Sequence, residues 1–457
     1  MKTMKYFIGL LSGLLLLSCS GEKVSDPEFG PKETPYIYME WSSSQVYSVG
    51  DIIKFTAQVS PLEGTDVRWL IDGNVVSTTP SIEYTITGTE GFTLRFEAER
   101  NGILNYRQAS VAIQVPFVPK ECAHKVMGVI TTDGNADMVQ WDYVSHLLIT
   151  PFQVTEGGKL ELPDAGKLAS LKTLVSLAHN KGIYVQADVT GIINMPAGSG
   201  LYNSMVFQNV VADDALRASL VADIKALVND LDLDGVNVFV NELNCDAGAI
   251  QEKDAIVQFI KELRAEFPAV REGERLKYLV TASVPRAWNS YEFYFLGQAV
   301  EELDWINLLL FGALDLTPCD FAPDWYVNDF YTNFLNAAGF PYSKQMVGVG
   351  AFGIHYQYPD GVTITWGNQD QYLGWPSYSE ILKMDASASS SCFLNIGTGL
   401  YYTGATGTNS ATSKALIVKD TPESAGMFIW CIDYDSTSAQ SSLTQAVWNN
   451  LNLSSHE

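Results

Sequence analysis

Residues 231–242 read LDLDGVNVFVNE, an apolar run that begins at a glycine and ends in two polar side chains. The run is too short for a buried helix, so it predicts a strand buried within a parallel sheet. Amphipathic helical patterns lie on both sides of it, at 213–231 and at 253–267. A buried strand between two such helices predicts a β–α unit that repeats along the chain.

Most of the chain follows this alternation, and eight apolar runs together predict a closed α/β barrel of the (β/α)8 type over 122–455. A further helix is predicted at 324–338. Residues 372–419 are too long and too rich in Ser, Thr and Gly for one crossover helix, which predicts an inserted segment beside the last strand. The predicted barrel strands are 126–130, 146–150, 183–189, 235–240, 278–284, 305–311, 346–351 and 427–432.

Before the barrel, residues 35–117 contain short alternating runs separated by turn residues, which is typical of an all-β sandwich. Trp69 is followed by the turn pair Asp72-Gly73 and resembles the buried strand tryptophan of immunoglobulin-like domains. The predicted fold class is therefore a TIM barrel preceded by a small immunoglobulin-like sandwich. The clearest predicted strands of the sandwich are 52–59, 66–71 and 92–98.

The first eighteen residues have the composition of an export signal, because two lysines precede a short apolar run that ends in LLSC at Cys19. This ending resembles the bacterial lipobox. The resemblance implies that 1–18 are removed, that Cys19 is lipidated, and that the polar segment 19–34 is a tether. We expect a protein that is lipid-anchored to the bacterial outer membrane and located at the cell surface.

The chain has 52 acidic and 28 basic residues, a net charge of -24, which repels phosphate backbones and argues against a nucleic-acid partner. A hydrophobic content of 47% is ample for folded cores. Cysteines after Cys19 are odd in number, and neither they nor the five histidines have metal-ligand spacing. We therefore expect no metal and no cofactor.

Residues 231–242 resemble the strand-four motif D-G-x-D-x-D-x-E of glycoside hydrolase family 18, the chitinases and endo-β-N-acetylglucosaminidases. Asp234 and Gly235 match the start of that motif. Three later segments resemble further family segments in the right order: DWINLLLF at 304–311, VGVGAFG at 347–353 and GMFIW at 426–430. The resemblance implies a chitinase-like barrel in which Trp430 forms the floor under a sugar.

The motif is altered at the positions that carry the chemistry of the family. In that mechanism a glutamate protonates the glycosidic oxygen, and an aspartate two residues earlier orients the N-acetyl group of the substrate. These positions are Asn241 and Phe239 here, while Asn237 replaces another aspartate and Phe311 a tyrosine. An amide is not a proton-donating acid. The resemblance therefore implies that hydrolysis has been lost.

Two carboxylates remain as fallback acids, Glu242 and Asp234. Strand alternation places Glu242 on the helix-facing side if Asn241 faces the barrel, and only a bulge at the strand end would turn it inward. A divergent endo-glycosidase that cleaves N-glycan or chitin-type linkages with Glu242 as acid is therefore one alternative function. Another is a protein-interaction module that presents the barrel as a scaffold to an outer-membrane glycan transporter complex or to a partner lipoprotein.

Sugar-binding chemistry survives these changes, because aromatic rings stack on pyranose faces while amides and carboxylates bond to hydroxyl groups. The sequence therefore predicts non-catalytic capture of an oligosaccharide or polysaccharide that contains N-acetylglucosamine or a related sugar. The predicted ligand-binding residues, at or near strand ends, are Trp430, Asn241, Asn237, Phe311, Asp188, Trp288 and Trp375.

Overall fold

The computed structural model describes residues 34–41, 44–115, 117–134, 136–190, 206–239, 253–269, 278–285, 297–311, 322–334, 339–358, 372–391, 393–395 and 400–453. The chain forms two compact units. The smaller unit consists of three segments: one that ends at Trp41, then Lys54–Glu83 and Thr93–Gln108. The larger unit holds the segment that ends at Ile53, Tyr84–Phe92 and the chain from Ala109 onward. The predicted boundary between 117 and 122 stays a prediction.

The N-terminal part consists of strands, as predicted. They are β1 (Tyr36–Tyr38), β2 (Ser44–Ser48), β3 (Ile52–Thr56), β4 (Gln58–Ser60), β5 (Asp66–Ile71), β6 (Asn74–Ser77), β7 (Ser81–Thr85), β8 (Phe92–Arg100) and β9 (Ile103–Gln114). In the smaller unit, β1 pairs with β4 and β5 pairs with both β6 and β8. Asp72 and Gly73 join β5 to β6 with φ values of 47° and 80°, which suits a two-residue hairpin. The immunoglobulin-like assignment stays a prediction.

Trp69 is the centre of the aromatic core of the smaller unit and is fully buried. Its ring lies 4.9 Å from Phe96, 5.9 Å from Trp41 and 6.1 Å from Phe55, measured between ring centroids. The indole N–H donates to the backbone oxygen of Pro80 at 3.2 Å. The prediction that Trp69 is a core residue is confirmed.

Eight parallel strands close the barrel in the order β10, β11, β13, β14, β15, β16, β17, β22 and back to β10. Each overlaps its predicted run, and the closed parallel barrel confirms the predicted fold class. The strands of this part of the chain are β10 (Lys125–Thr131), β11 (His146–Val154), β12 (Leu160–Glu161), β13 (Tyr184–Thr190), β14 (Gly235–Phe239), β15 (Leu279–Pro285), β16 (Ile306–Leu309), β17 (Gln345–Gly350), β18 (Gly353–Tyr358), β19 (Tyr372–Gly374), β20 (Phe393–Asn395), β21 (Leu400–Ala405) and β22 (Gly426–Trp430).

Helices occupy the connections, and several begin at a side-chain cap. Asp164 and Asp213 accept backbone N–H groups at the start of two of them, and Ser377 forms a capping box with Glu380 at another. Within the described part of the chain, no helix is long and apolar enough to cross a membrane. The helices are α1 (Ala165–Asn180), α2 (Val206–Ala212), α3 (Asp214–Asp230), α4 (Lys253–Glu266), α5 (Asp324–Tyr326, continued by wider π-helical turns through Phe334), α6 (Tyr378–Met384), α7 (Thr408–Asp420) and α8 (Leu443–Asn452).

Asp234 and Gly235 fix the amino end of β14. The Asp234 carboxylate accepts the backbone N–H of Val185 at 2.8 Å and the Nε2 of His179 at 2.9 Å. Gly235 has φ of +150°, and a Cβ atom there would lie 2.0 Å from the carbonyl oxygen of Leu279. Only glycine allows β14 and β15 to approach this closely at that point.

A small antiparallel sheet in the order β19, β18, β21, β20 follows β17. It begins at Gly353, earlier than the predicted start of the insertion at 372, because β18 lacks the Ser and Thr bias on which that prediction rested. Helix α7, at the end of the predicted insertion, packs against β22. That helix therefore serves as a crossover of the barrel itself.

Candidate functional site

Side chains of β14 alternate between the barrel interior and the surrounding helices. Val236 and Val238 belong to the apolar cluster shared with the helices, whereas Phe239 belongs to the cluster inside the barrel. Asn237 shares the inward face with Phe239. The predicted alternation is therefore present up to the last described residue of this strand.

Three of the predicted site residues lie outside the described residues. They are Asn241, Glu242 and Trp288. The inward orientation of Asn241 and the outward orientation of Glu242 stay predictions, and so does a ligand contact at Trp288.

Asn237 is the centre of a hydrogen-bond network inside the barrel. Its Nδ2 donates to Asp188 Oδ1 at 2.6 Å and to Ser283 Oγ at 2.9 Å. Its Oδ1 accepts from Thr281 Oγ1 at 2.7 Å and from Asn307 Nδ2 at 3.0 Å. All five side chains are fully buried. The two N–H groups and two lone pairs of the amide are thus all used.

Asp188 is the carboxyl group of this network. Its Oδ2 accepts from Thr150 Oγ1 at 2.7 Å, opposite the bond to Asn237. Burial raises the pKa of Asp188 from 3.8 to about 6, and the hydrogen bonds from Thr150 and Asn237 lower it less than burial raises it. The structure brings the predicted residues Asp188 and Asn237 together. Both are fully buried inside the barrel, and their contact with a ligand stays a prediction.

Trp430 lies at the carboxyl end of the closing strand and is half-buried. Its ring centroid is 5.5 Å from that of Phe239, with the two planes at 63°. Both rings pack on the apolar cluster inside the barrel. Strands β14 and β22 lie on opposite sides of the closed barrel. The rings of Phe239 and Trp430 therefore meet across its mouth, above the polar network.

A second aromatic run leads outward from the mouth. Phe311, just after β16, lies 5.6 Å from Phe352, which in turn lies 6.0 Å from Trp375. Trp375 is 53% exposed. Phe352 thus links two predicted residues, Phe311 and Trp375. The sequence prediction did not single out Phe352, although it lies within the quoted segment 347–353.

Asp433 is another residue at the carboxyl end of the barrel that the prediction missed. It follows β22, and its Oδ2 accepts from Thr131 Oγ1, at the end of β10, at 2.6 Å. Burial raises the pKa of Asp433, against the lowering effect of the Thr131 hydrogen bond. Its position just past a strand end was the available signal.

Asp234 does not lie with these residues. It is at the amino end of β14, fully buried and bonded to His179 and Val185. Functional sites of such barrels form at the opposite, carboxyl end of the strands. This placement argues against the fallback assignment of Asp234 as an acid, because its carboxylate bonds to His179 and Val185 at the amino end of the strands.

Many solved structures are similar to this chain, and the following three are each at low sequence identity. A chitinase from Bacteroides thetaiotaomicron is 17% identical with a TM-score of 0.54, covering 72% of this chain and 96% of its own. The chitinase-like agglutinin RobpsCRA from Robinia pseudoacacia is 18% identical with a TM-score of 0.55, covering 71% and 99%. A GH18 chitinase from Cycas revoluta in complex with (GlcNAc)3 is 16% identical with a TM-score of 0.56, covering 71% and 99%. At these identities the likeness shows the fold alone.

No curated protein matches the chain. The model of the Glycosyl hydrolases family 18, by contrast, matches residues 125–435. This range covers more than half of the chain and runs from the first barrel strand, β10, past the last, β22. The segments that resemble the family lie on β14, β16, β17 and β22 of one closed barrel, and the chain belongs to glycosyl hydrolase family 18.

Proposed function

We propose that this chain binds glycans containing N-acetylglucosamine or a related sugar at the mouth of its barrel and does not cleave them. One observation carries the proposal. The inward face of β14 presents an amide at Asn237 and a phenyl ring at Phe239, where the family motif has two carboxylates. The ring packs against Trp430, so this position offers apolar surface in place of charge.

Asp188, the carboxyl group of the polar network, is poorly placed for acid catalysis. A general acid must come within hydrogen-bond reach of the glycosidic oxygen. Asp188 is fully buried and in register with Asn237, whereas Phe239 lies two residues nearer the mouth on the same face. A glycan resting on Trp430 would therefore be separated from Asp188 by the Phe239 ring.

The same arrangement suits retention of a sugar chain. Trp430 offers a partly exposed ring for stacking on a pyranose, and the run Phe311, Phe352 and Trp375 offers further faces for neighbouring sugar units. The fold of the chitinase-like agglutinin and of the chitinase bound to (GlcNAc)3 supports this class of ligand.

The proposal is tested by titrating the purified protein with chitin oligosaccharides and N-glycans in a calorimeter while the same mixtures are analysed for shorter products. We expect saturable binding with intact glycan. The Glu242→Gln variant is the matched control, because the alternative endo-glycosidase would use Glu242 as its acid. Turnover by the wild type that this variant lacks would establish the alternative.

We also infer that the chain is exported and anchored through Cys19 at the outer face of the outer membrane, where it would pass glycan to a transporter. The lipobox-like ending LLSC and the polar segment that follows it support this location. Cys19→Ala should move the protein from the membrane fraction to the soluble fraction of the cell envelope. Protease added to intact cells should degrade the wild type. Membrane retention of the variant would contradict the lipid anchor.

A further inference from the structure

The polar network inside the barrel combines one acid and one amide on adjacent strands. Asp188 of β13 and Asn237 of β14 are direct partners in the strand register, and their side chains are joined at 2.6 Å. The family motif has an aspartate at the position of Asn237. Here the acid is on the neighbouring strand and the amide occupies the motif position.

The surroundings of Asn237 would still suit a carboxylate. Thr281 and Asn307 already donate to its Oδ1. Ser283 accepts from both Asn237 and Asn307, so its own hydroxyl proton is available to donate. A carboxylate at 237 would therefore be surrounded by donors, which is the environment that stabilises a buried charge.

We propose that Asp188, on the neighbouring strand, supplies the buried acid that position 237 lacks. Asp188 is then a positioning residue, which together with Asn237 forms one acid–amide unit that holds the inward face of β14. The inference goes beyond the proposed function, because it concerns the interior of the barrel and does not rest on glycan binding. The unit matters for the mouth because Phe239, which meets Trp430, follows Asn237 on the same face.

Two single variants and the variant that exchanges the acid and the amide distinguish this proposal from a merely structural role of the two residues. Asn237→Asp alone places two carboxyl groups at hydrogen-bond distance, where they can be accommodated only by sharing a proton. Asp188→Asn alone removes the acid and leaves two amides in contact. The exchange variant Asp188→Asn with Asn237→Asp restores one acid and one amide: the amide introduced at position 188 would donate to the new carboxylate and accept from Thr150.

Thermal unfolding of the full-length protein at about pH 5 and pH 8 is the measurement. We expect Asn237→Asp to lower the melting temperature by about 5 °C or more at the higher pH and to regain most of this at the lower pH. The exchange variant should melt within a few degrees of the wild type at both values. The titratable group that faces Asp188 from the end of β22 is the Cys431 thiol, whose pKa burial raises well above its usual range, so it stays neutral in this window.

The control combines Asn237→Asp with Asp304→Asn, since Asp304 is a partly buried carboxylate of another network, bonded to Arg264 and to the backbone of Val280. In this double variant the decreases in melting temperature caused by the two changes should add. The proposal is overturned if the melting temperature of the exchange variant falls by as much as those of the two single variants together, or if the exchange variant does not fold. It is also overturned if Asn237→Asp lowers the melting temperature equally at both pH values.

Discussion

Among the described residues of β14, Phe239 departs furthest from the chemistry of the family motif. Its ring occupies an inward position next to Trp430, where a carboxylate would bring charge and water to the mouth. A phenyl ring in place of an aspartate removes a group that orients an acetamido substrate and adds apolar surface on which a sugar ring can rest. This side chain therefore supports the proposed retention of a glycan over its cleavage.

Trp430→Ala should weaken glycan binding by about 2 kcal/mol or more, because only a large flat side chain supplies this stacking surface. The melting temperature should change less, since Trp430 is only half-buried. Trp325→Ala is the matched control: this tryptophan is 51% exposed on α5 and should leave affinity unchanged. Calorimetric titration checks both. Unaltered affinity in a folded Trp430→Ala protein would move the site to the run from Phe311 to Trp375.

Asp188→Asn should remove a specific pH dependence of stability. The pKa of Asp188 is about 6 in the folded state against 3.8 as the ordinary value, so the folded protein binds this proton more tightly. Stability therefore falls as pH rises from about 4 to about 6, by up to about 3 kcal/mol from this group. The stability of the variant relative to the wild type should rise over that window in chemical denaturation. A difference independent of pH would contradict this assignment.

Among the structural elements, the barrel strands were predictable and the network inside them was not. Continuous apolar runs marked all eight strands, because strands covered on both sides need apolar residues on both faces. Which polar residues meet depends on the register between neighbouring strands, which no single strand encodes. The alternating Thr281 and Ser283 on β15 gave a sign of polar positions inside the barrel, but not of their bonds to Asn237.

Asp234→Ala should destabilise the junction between β13 and β14 strongly. The change leaves the buried N–H of Val185 and the His179 ring without this acceptor, which costs about 3 kcal/mol or more. Asp230→Ala is the control, because Asp230 makes an exposed salt bridge with Lys172 and should cost less than about 1 kcal/mol. Denaturant titration measures both. Equal losses in the two variants would contradict the role of Asp234.

At the scale of the whole molecule, the chain forms two compact units. The larger unit contains the barrel, and the end of β9 joins it through Asn180 of α1, which accepts the backbone N–H of Val115 at 3.1 Å. The smaller unit has its own aromatic core around Trp69. Binding at the barrel mouth and stability of the smaller unit should therefore respond to different substitutions.

Trp69→Ala should cost about 3 to 5 kcal/mol of stability in the smaller unit, as expected for a large buried ring, while leaving glycan affinity unchanged. Val75→Ala on β6, an exposed position of the same unit, is the control and should have little effect. Thermal unfolding and calorimetric titration of the same samples check the two parts of this prediction. A loss of affinity in Trp69→Ala at a temperature where it stays folded would contradict the separation.

The most direct test of binding without cleavage is product analysis by mass spectrometry after long incubation with a chitin oligosaccharide above its dissociation constant. Wild type and Glu242→Gln are run side by side. We predict that the oligosaccharide is bound and recovered at full length from both proteins. Shorter products that form with the wild type and are absent with Glu242→Gln would contradict it.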